Sequence, residues 1–365
     1  MLNRARLSLP LLALAAILTA SGQPPGKTQN VIVVMSDGLR WQEAFSGADP
    51  ALMNKQSGVS DLPALKQSFW RDTPSARREA LMPFLWSVVA KQGQIYGNRE
   101  LGSDAFVTNG RNFSYPGYSE ILCGFPDERI DSNDKNDNPN VSVLEWLARK
   151  PAFAGRIAAI GAWELFPYIL NVRRSGLMVN AGYDPLPGPP TNSRIELLNR
   201  LKRETGIWGG ESLDAPTFHT ALEYVRLRKP RVLFLSLGET DEWAHAGQYE
   251  LYLKAAQRVD RYVQELWETL QAMPEYRGNT SLILAVDHGR GMAPLAWKDH
   301  GEKTPDSKYV WMAFLGPDTP ALGERSRIAP ITQSQIAATL AALLGEDYNT
   351  AAPKAGQPIP DAFRK

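Results

Sequence analysis

Apolar runs that end in acids set the pattern of this chain. Val31-Ile-Val-Val-Met-Ser36 leads into Asp37-Gly38, and Val232-Leu-Phe-Leu-Ser-Leu237 leads into Gly-Glu-Thr-Asp241, with His245 four positions on. Ser281-Leu-Ile-Leu-Ala-Val286 leads into Asp287-His288-Gly289. Near-continuous apolar runs of this length predict strands buried on both faces, as in a parallel sheet. Polar side chains and glycines just past such strands are how an open α/β sheet presents chemistry at its carboxyl edge.

The other elements alternate around these strands. A polar stretch over 46–76 precedes a helix over 78–92, with Pro83 near its start and Leu81, Leu85, Val88 and Val89 on one face. Short strands are expected at 94–97 and 105–108, then a turn-rich loop from Gly124 to Asn140. Asn140 or Ser142 can cap a helix running through Arg149. Arg156 to Gly161 reads as a strand and 180–192 as a Pro/Gly-rich loop. Helices follow at 193–204, 216–228 and 249–272, the last long and amphipathic. A strand at 309–315 and a helix at 333–344 close the chain. There is no internal repeat, low-complexity segment or clear linker. The pattern predicts an α/β fold with a largely parallel central sheet.

With 365 residues, 43% of them hydrophobic and 22% charged, the chain can bury a large core. A formal net charge of +1 gives no electrostatic case for nucleic-acid or membrane-surface binding. Arg4 and Arg6, the apolar run Leu7–Leu18 and the small residues Thr19-Ala-Ser-Gly22 make the pattern of a secretory signal peptide over residues 1–22. That run is short and interrupted by Pro10, so it does not suit a membrane anchor. Residues 23–365 then fit one large α/β domain with loop insertions or two smaller domains. Cys123 is the single cysteine, so no intramolecular disulfide is possible. Export without disulfides points to a bacterial periplasmic or secreted protein.

The candidate chemistry is metal binding. Of the four histidines, His245, His288 and His300 each stand with an acid in a glycine-bounded segment. Asp241 and His245, four apart, share one face of a helical turn and can grip one ion. Asp287 and His288 are adjacent, so they point apart and serve two ions or bracket one. His300 lies in the Lys298-Asp-His-Gly301 loop. His219 has no acidic partner and reads as structural.

Asp37, a Ser-aromatic-Pro motif, Asp241-x-x-x-His245, Asp287-His288-Gly289 and His300-Gly301, in that order, resemble the alkaline phosphatase superfamily. The likeness is greatest to its phosphodiesterase/nucleotide pyrophosphatase branch. It spans residues 31–301, and Gln335–Gly345 looks like the helix that closes many members. The resemblance implies a three-layer α/β sandwich and two divalent ions, with zinc suited to a set of imidazoles and carboxylates. Asp37, Asp287 and His288 would hold one ion; Asp241, His245 and His300 would hold the other. Ser114, in Phe113-Ser-Tyr-Pro-Gly-Tyr118, stands at the nucleophile position and would be a metal ligand itself; Ser119 and Thr108 are its rivals. Pro116 and Gly117 are expected to form a tight turn holding Ser114 in place. The implied reaction is hydrolysis of a small-molecule phosphate mono- or diester through a phosphoseryl intermediate.

A sulfatase needs an Arg four residues after its modified Ser or Cys, where this chain has Tyr118. Asn133 is the candidate phosphate-oxygen ligand, with Asn136 and Asn138 as alternatives. Arg111, Lys135, Arg173 and Arg290 match no motif. Trp163, Phe166, Tyr168 and Trp243 could stack on a leaving group, although core or surface roles are the commoner fate of such residues. A non-catalytic metal-binding relative and a sulfatase- or phosphonate hydrolase-like activity are the competing readings.

Overall fold

A computed structural model describes residues 26–187 and 192–363, so the expected signal peptide at 1–22 lies outside the described residues. Eight strands form the main sheet: β1 (Asn30–Ser36), β2 (Gln94–Tyr96), β4 (Ile157–Gly161), β5 (Met178–Ala181), β6 (Val232–Leu237), β7 (Thr280–Ala285), β8 (Met312–Leu315) and β9 (Gly323–Glu324). Between them in sequence, β3 (Ala105–Phe106) pairs with β10 (Ile331–Thr332) in a separate two-stranded sheet. The main sheet runs β5-β4-β6-β1-β7-β8-β2-β9. Its first five strands are mutually parallel, and β8 is antiparallel to both β7 and β2. Helices cover both faces, giving the three-layer α/β sandwich.

The three runs that end in acids are neighbours at the centre of this sheet. Met35 of β1 sits opposite Ser236 of β6 on one side and Ala285 of β7 on the other. The three strands are parallel, so Asp37, the Gly238–Asp241 turn and Asp287 leave the sheet at one edge. Every residue of β1, β6 and β7 is buried, which explains why these strands read as continuous apolar runs rather than alternating ones.

Several elements differ from the sequence pattern for identifiable reasons. The helix expected over 78–92 is broken. It runs Pro74–Leu81, stops at Met82, which precedes Pro83 and leaves the helical region (φ −128°, ψ 69°), and resumes through a π-type turn at Leu85–Val89. The Asp260 carboxylate accepts the free amides of Phe84 and Leu85, both at 2.8 Å, at the new start. The polar stretch 46–76 contains the helix Leu62–Phe69, capped by Asp61. β5 occupies the start of the segment read as loop 180–192, and 309–315 supplies only Met312–Leu315. Ser142, not Asn140, caps the helix Val143–Ala148, accepting the Glu145 amide at 3.1 Å. The last helix is Ile336–Leu343, entered through a 3₁₀ turn at Gln333–Gln335 that Thr332 opens with a capping box.

Leu235 is fully buried in β6, in register with Val34 and Ile160. Leu235→Ala should cost about 2–5 kcal/mol in denaturant unfolding. A loss well under 1 kcal/mol would contradict the central place given to β6.

Candidate active site

The carboxyl ends of β1 and β7 bring three predicted ligands to one point. His288 Nε2 lies 3.3 Å from Asp37 Oδ1 and 3.4 Å from Asp287 Oδ2. Asp287 and His288 therefore do not point apart; they bracket one position together with Asp37. Both carboxylate oxygens are buried and have no hydrogen-bond partner, an arrangement that a cation between them would satisfy. The His288 Nδ1–H donates to the Gly289 carbonyl at 2.9 Å, which leaves Nε2 with its lone pair toward the acids.

The second group converges beside the first. Asp241 and His245 lie one turn apart on a short helical segment (Glu239–His245), with His245 Nε2 3.1 Å from Asp241 Oδ2. His300 Nε2 is 2.9 Å from His245 Nε2, and its ring stacks on His288 at 3.9 Å between centroids. Asp241 Oδ1 is 3.7 Å from His288 Nε2 and 3.8 Å from His300 Nε2, so the second cluster able to hold an ion is Asp241, His288 and His300, with the expected ligand His245 beside it rather than in it. The His300 Nδ1–H donates to the Asn112 carbonyl at 3.1 Å, which again fixes the tautomer with Nε2 inward.

Ser114 is the first residue of a wholly buried helix, Ser114–Cys123, and its Oγ lies 3.4 Å from His288 Nε2. Pro116 and Gly117 form the first turn of this helix rather than the tight turn expected. Gly117 is there for clearance: a Cβ at this position would sit 2.4 Å from the Asp287 carbonyl oxygen. The rivals face elsewhere. Thr108 Oγ1 donates to Glu120 at 2.6 Å, and Ser119 Oγ accepts from Asn138 Nδ2 at 3.0 Å inside the helix packing. Asn133 Oδ1 accepts the Tyr115 amide at 3.0 Å, which places Asn133 beside the start of the Ser114 helix.

Burial and charge act strongly on these groups. Burial, then the charge of Asp241, pushes the Asp37 carboxyl up to about 8. Burial and the nearby Asp37 raise Asp287 well above the carboxylate range. Burial also acts to raise Asp241, but the Arg290 guanidinium and the hydrogen bond from His245 hold it well below that range. Burial lowers His288 to about 4, and burial with the charge of His288 lowers His300 to about 2. Burial acts to lower His245, but its hydrogen bond to Asp241, that carboxylate's charge and the charge of Glu242 together move it up. Imidazoles that turn Nε2 toward buried carboxylates form a donor set that fits a divalent ion.

Much of the supporting structure had no signal of its own in the sequence. Tyr118, one turn after Ser114, donates to Asp37 Oδ2 at 2.9 Å and packs edge-on against Phe166 and Phe234. Glu120 accepts from both the amide and the side chain of Thr108 and of Asn109, and Asn109 Oδ1 accepts the amides of Arg111 and Asn112. That chain of bonds fixes the Asn112 carbonyl on which His300 depends. The remaining candidates are spoken for. Arg111 pairs with Glu302, Lys135 with Glu164 at 2.8 Å, Arg173 with Asp137, and Arg290 with Asp241. Phe166 is core, Trp243 packs on Trp208, and His219 lies on an exposed helix position against Phe218 and Tyr262.

The fold is that of the alkaline phosphatase superfamily. A wild-type alkaline phosphatase, PafA, superposes with a TM-score of 0.58 at 10% identity, covering 94% of this chain and 100% of that one. A protein in the alkaline phosphatase superfamily from Vibrio parahaemolyticus matches with a TM-score of 0.52 at 14% identity, over 89% of this chain and 68% of that one. Residues 41–308 match the model of the type I phosphodiesterase / nucleotide pyrophosphatase family. The chain belongs to that family. A 2,3-bisphosphoglycerate-independent phosphoglycerate mutase from Haloarcula marismortui is 28% identical over 128 residues, 35% of this chain and 23% of that protein. The chain thus matches under a quarter of that relative's length.

The clearance at Gly117 is testable. Gly117→Ala puts a methyl group against the Asp287 carbonyl and should cost about 1–3 kcal/mol in denaturant unfolding. Unchanged or higher stability would show that the Ser114 helix does not approach the Asp287 strand so closely.

Proposed function

We propose that this protein is an exported two-metal phosphohydrolase in which Ser114 is the nucleophile. The observation that carries the reading is the meeting of Ser114 Oγ, Asp37 Oδ1 and Asp287 Oδ2, each within 3.4 Å of His288 Nε2. Asp37, Asp287 and His288 would hold one ion, Asp241, His245 and His300 the other, and Ser114 would complete the coordination. With imidazole and carboxylate donors the metal is zinc. Bound divalent ions supply Lewis-acid stabilisation of charge on the attacking and leaving oxygens.

The chain's own residues do the rest. Ser114 Oγ forms a bond to phosphorus as the bond to the ester oxygen breaks, and water then cleaves the phosphoseryl link to restore the hydroxyl. Asn133, held at the start of the Ser114 helix by the Tyr115 amide, would donate its own amide to a phosphate oxygen. A doubly charged monoester needs a free cation on its oxygens, and the four cationic candidates are each paired with an acid. This favours a singly charged phosphodiester of a small molecule as substrate. Residues 1–22 would direct export to the periplasm or medium and 23–365 would be the catalytic domain. Among the described residues no helix is long and apolar enough to cross a membrane.

Three measurements test the reading. The purified protein should carry about two divalent ions per chain, mostly zinc, by elemental analysis; fewer than one, even after reloading, would rule out a dinuclear site. Ser114→Ala should keep those ions and lose more than about a thousandfold in rate, whereas wild-type rates would misplace the nucleophile. Initial rates on aryl phosphate, bis-aryl phosphate, aryl phosphonate and aryl sulfate should be highest on the diester. Preference for the sulfate would instead support the sulfatase-like alternative.

A further inference from the structure

Arg290 is 1% exposed, next to the ligand pair Asp287-His288, and it reaches across the site rather than into it. Its Nη2 donates to the backbone carbonyl of Asp241 at 3.0 Å and also to Asp241 Oδ1. Its Nη1 donates to the carbonyl of Lys298, two residues before His300. A single rigid guanidinium thus joins the segments that carry His288, Asp241 and His300. Gly38, beside Asp37, makes room for it: a Cβ there would lie 2.5 Å from Asp241 Oδ1 and 3.0 Å from Arg290 Nε.

We infer that Arg290 is the positioning residue for the second metal position. It ties down Asp241 through the backbone carbonyl and through Oδ1, the oxygen that stands 3.7 Å from His288 Nε2 and 3.8 Å from His300 Nε2. Through Lys298 it fixes the approach of His300. Geometry rather than charge alone is what the fork contributes, because a planar guanidinium satisfies three acceptors at set angles and an ammonium does not. A substrate-binding role is excluded by its burial and by these acceptors.

The inference rests on the two-metal reading, and its test separates the two. Metal-free protein is titrated calorimetrically with zinc or manganese(II) alone. Wild type should bind two ions. Arg290→Met should keep one site within about threefold and weaken the other by roughly 10- to 100-fold, the range for lost outer-sphere support. Arg290→Lys, the milder variant that carries the test should the Met form not fold, should show the same selective loss. Restoration of wild-type affinity by Lys would overturn positioning in favour of charge, and equal weakening of both sites, or of neither, would overturn the inference altogether. Hydrogen exchange of the 298–301 amides in metal-free protein should be faster in both variants, and unchanged exchange would likewise contradict it. Fewer than two ions in the wild type would refute the two-metal reading, while the exchange data would still decide the role of Arg290.

Discussion

Three carboxylates, Asp37, Asp241 and Asp287, are drawn close together at one largely buried spot, where the buried Arg290 guanidinium pairs with one of them, Asp241. An unpaired buried charge is among the most costly things a fold can contain. The strain shows in the acids themselves: Asp37 and Asp287 are driven toward their neutral forms, and only Asp241, beside Arg290, stays readily ionised. A site of this kind would be compatible with a stable fold if divalent cations compensated it.

The scaffold around this site is built in layers. The parallel β6-β1-β7 triplet sets where the acids emerge, and its burial on both faces makes that edge rigid. The Ser114 helix is pinned against the same edge from two sides, by Tyr118 bonded to Asp37 and by the gap at Gly117 over Asp287. Glu120 carries the order outward through Thr108 and Asn109 to Asn112, whose carbonyl orients His300. Carbonyl acceptors on Nδ1 of both His288 and His300 leave Nε2 free, which is the tautomer metal ligation requires.

The fold class and the segments that carry the candidate ligands were legible because they depend on local pattern. An unbroken apolar run followed by Asp-Gly or Asp-His-Gly states both the strand and its exit, and all three such runs proved to be adjacent central strands. The breaks were less legible. Pro83 near the start of a periodic stretch looked like a first-turn proline, but the clash with Met82 won and split the helix. Gly117 looked like turn chemistry, whereas its requirement comes from a strand 170 positions away in sequence. Arg290, Tyr118 and Glu120 carry no local signal at all, since their roles exist only once distant loops are packed together. The cationic candidates were visible as residues, but that each has an acidic partner is a tertiary fact.

The central claim is that two metal ions sit at this sheet edge in two particular nests. Anomalous diffraction at the zinc absorption edge tests it most directly. The account predicts two peaks about 4 Å apart, one among Asp37, Asp287 and His288, the other among Asp241, His245 and His300, with Ser114 Oγ beside them. A single peak, or a second peak remote from His245 and His300, would contradict it.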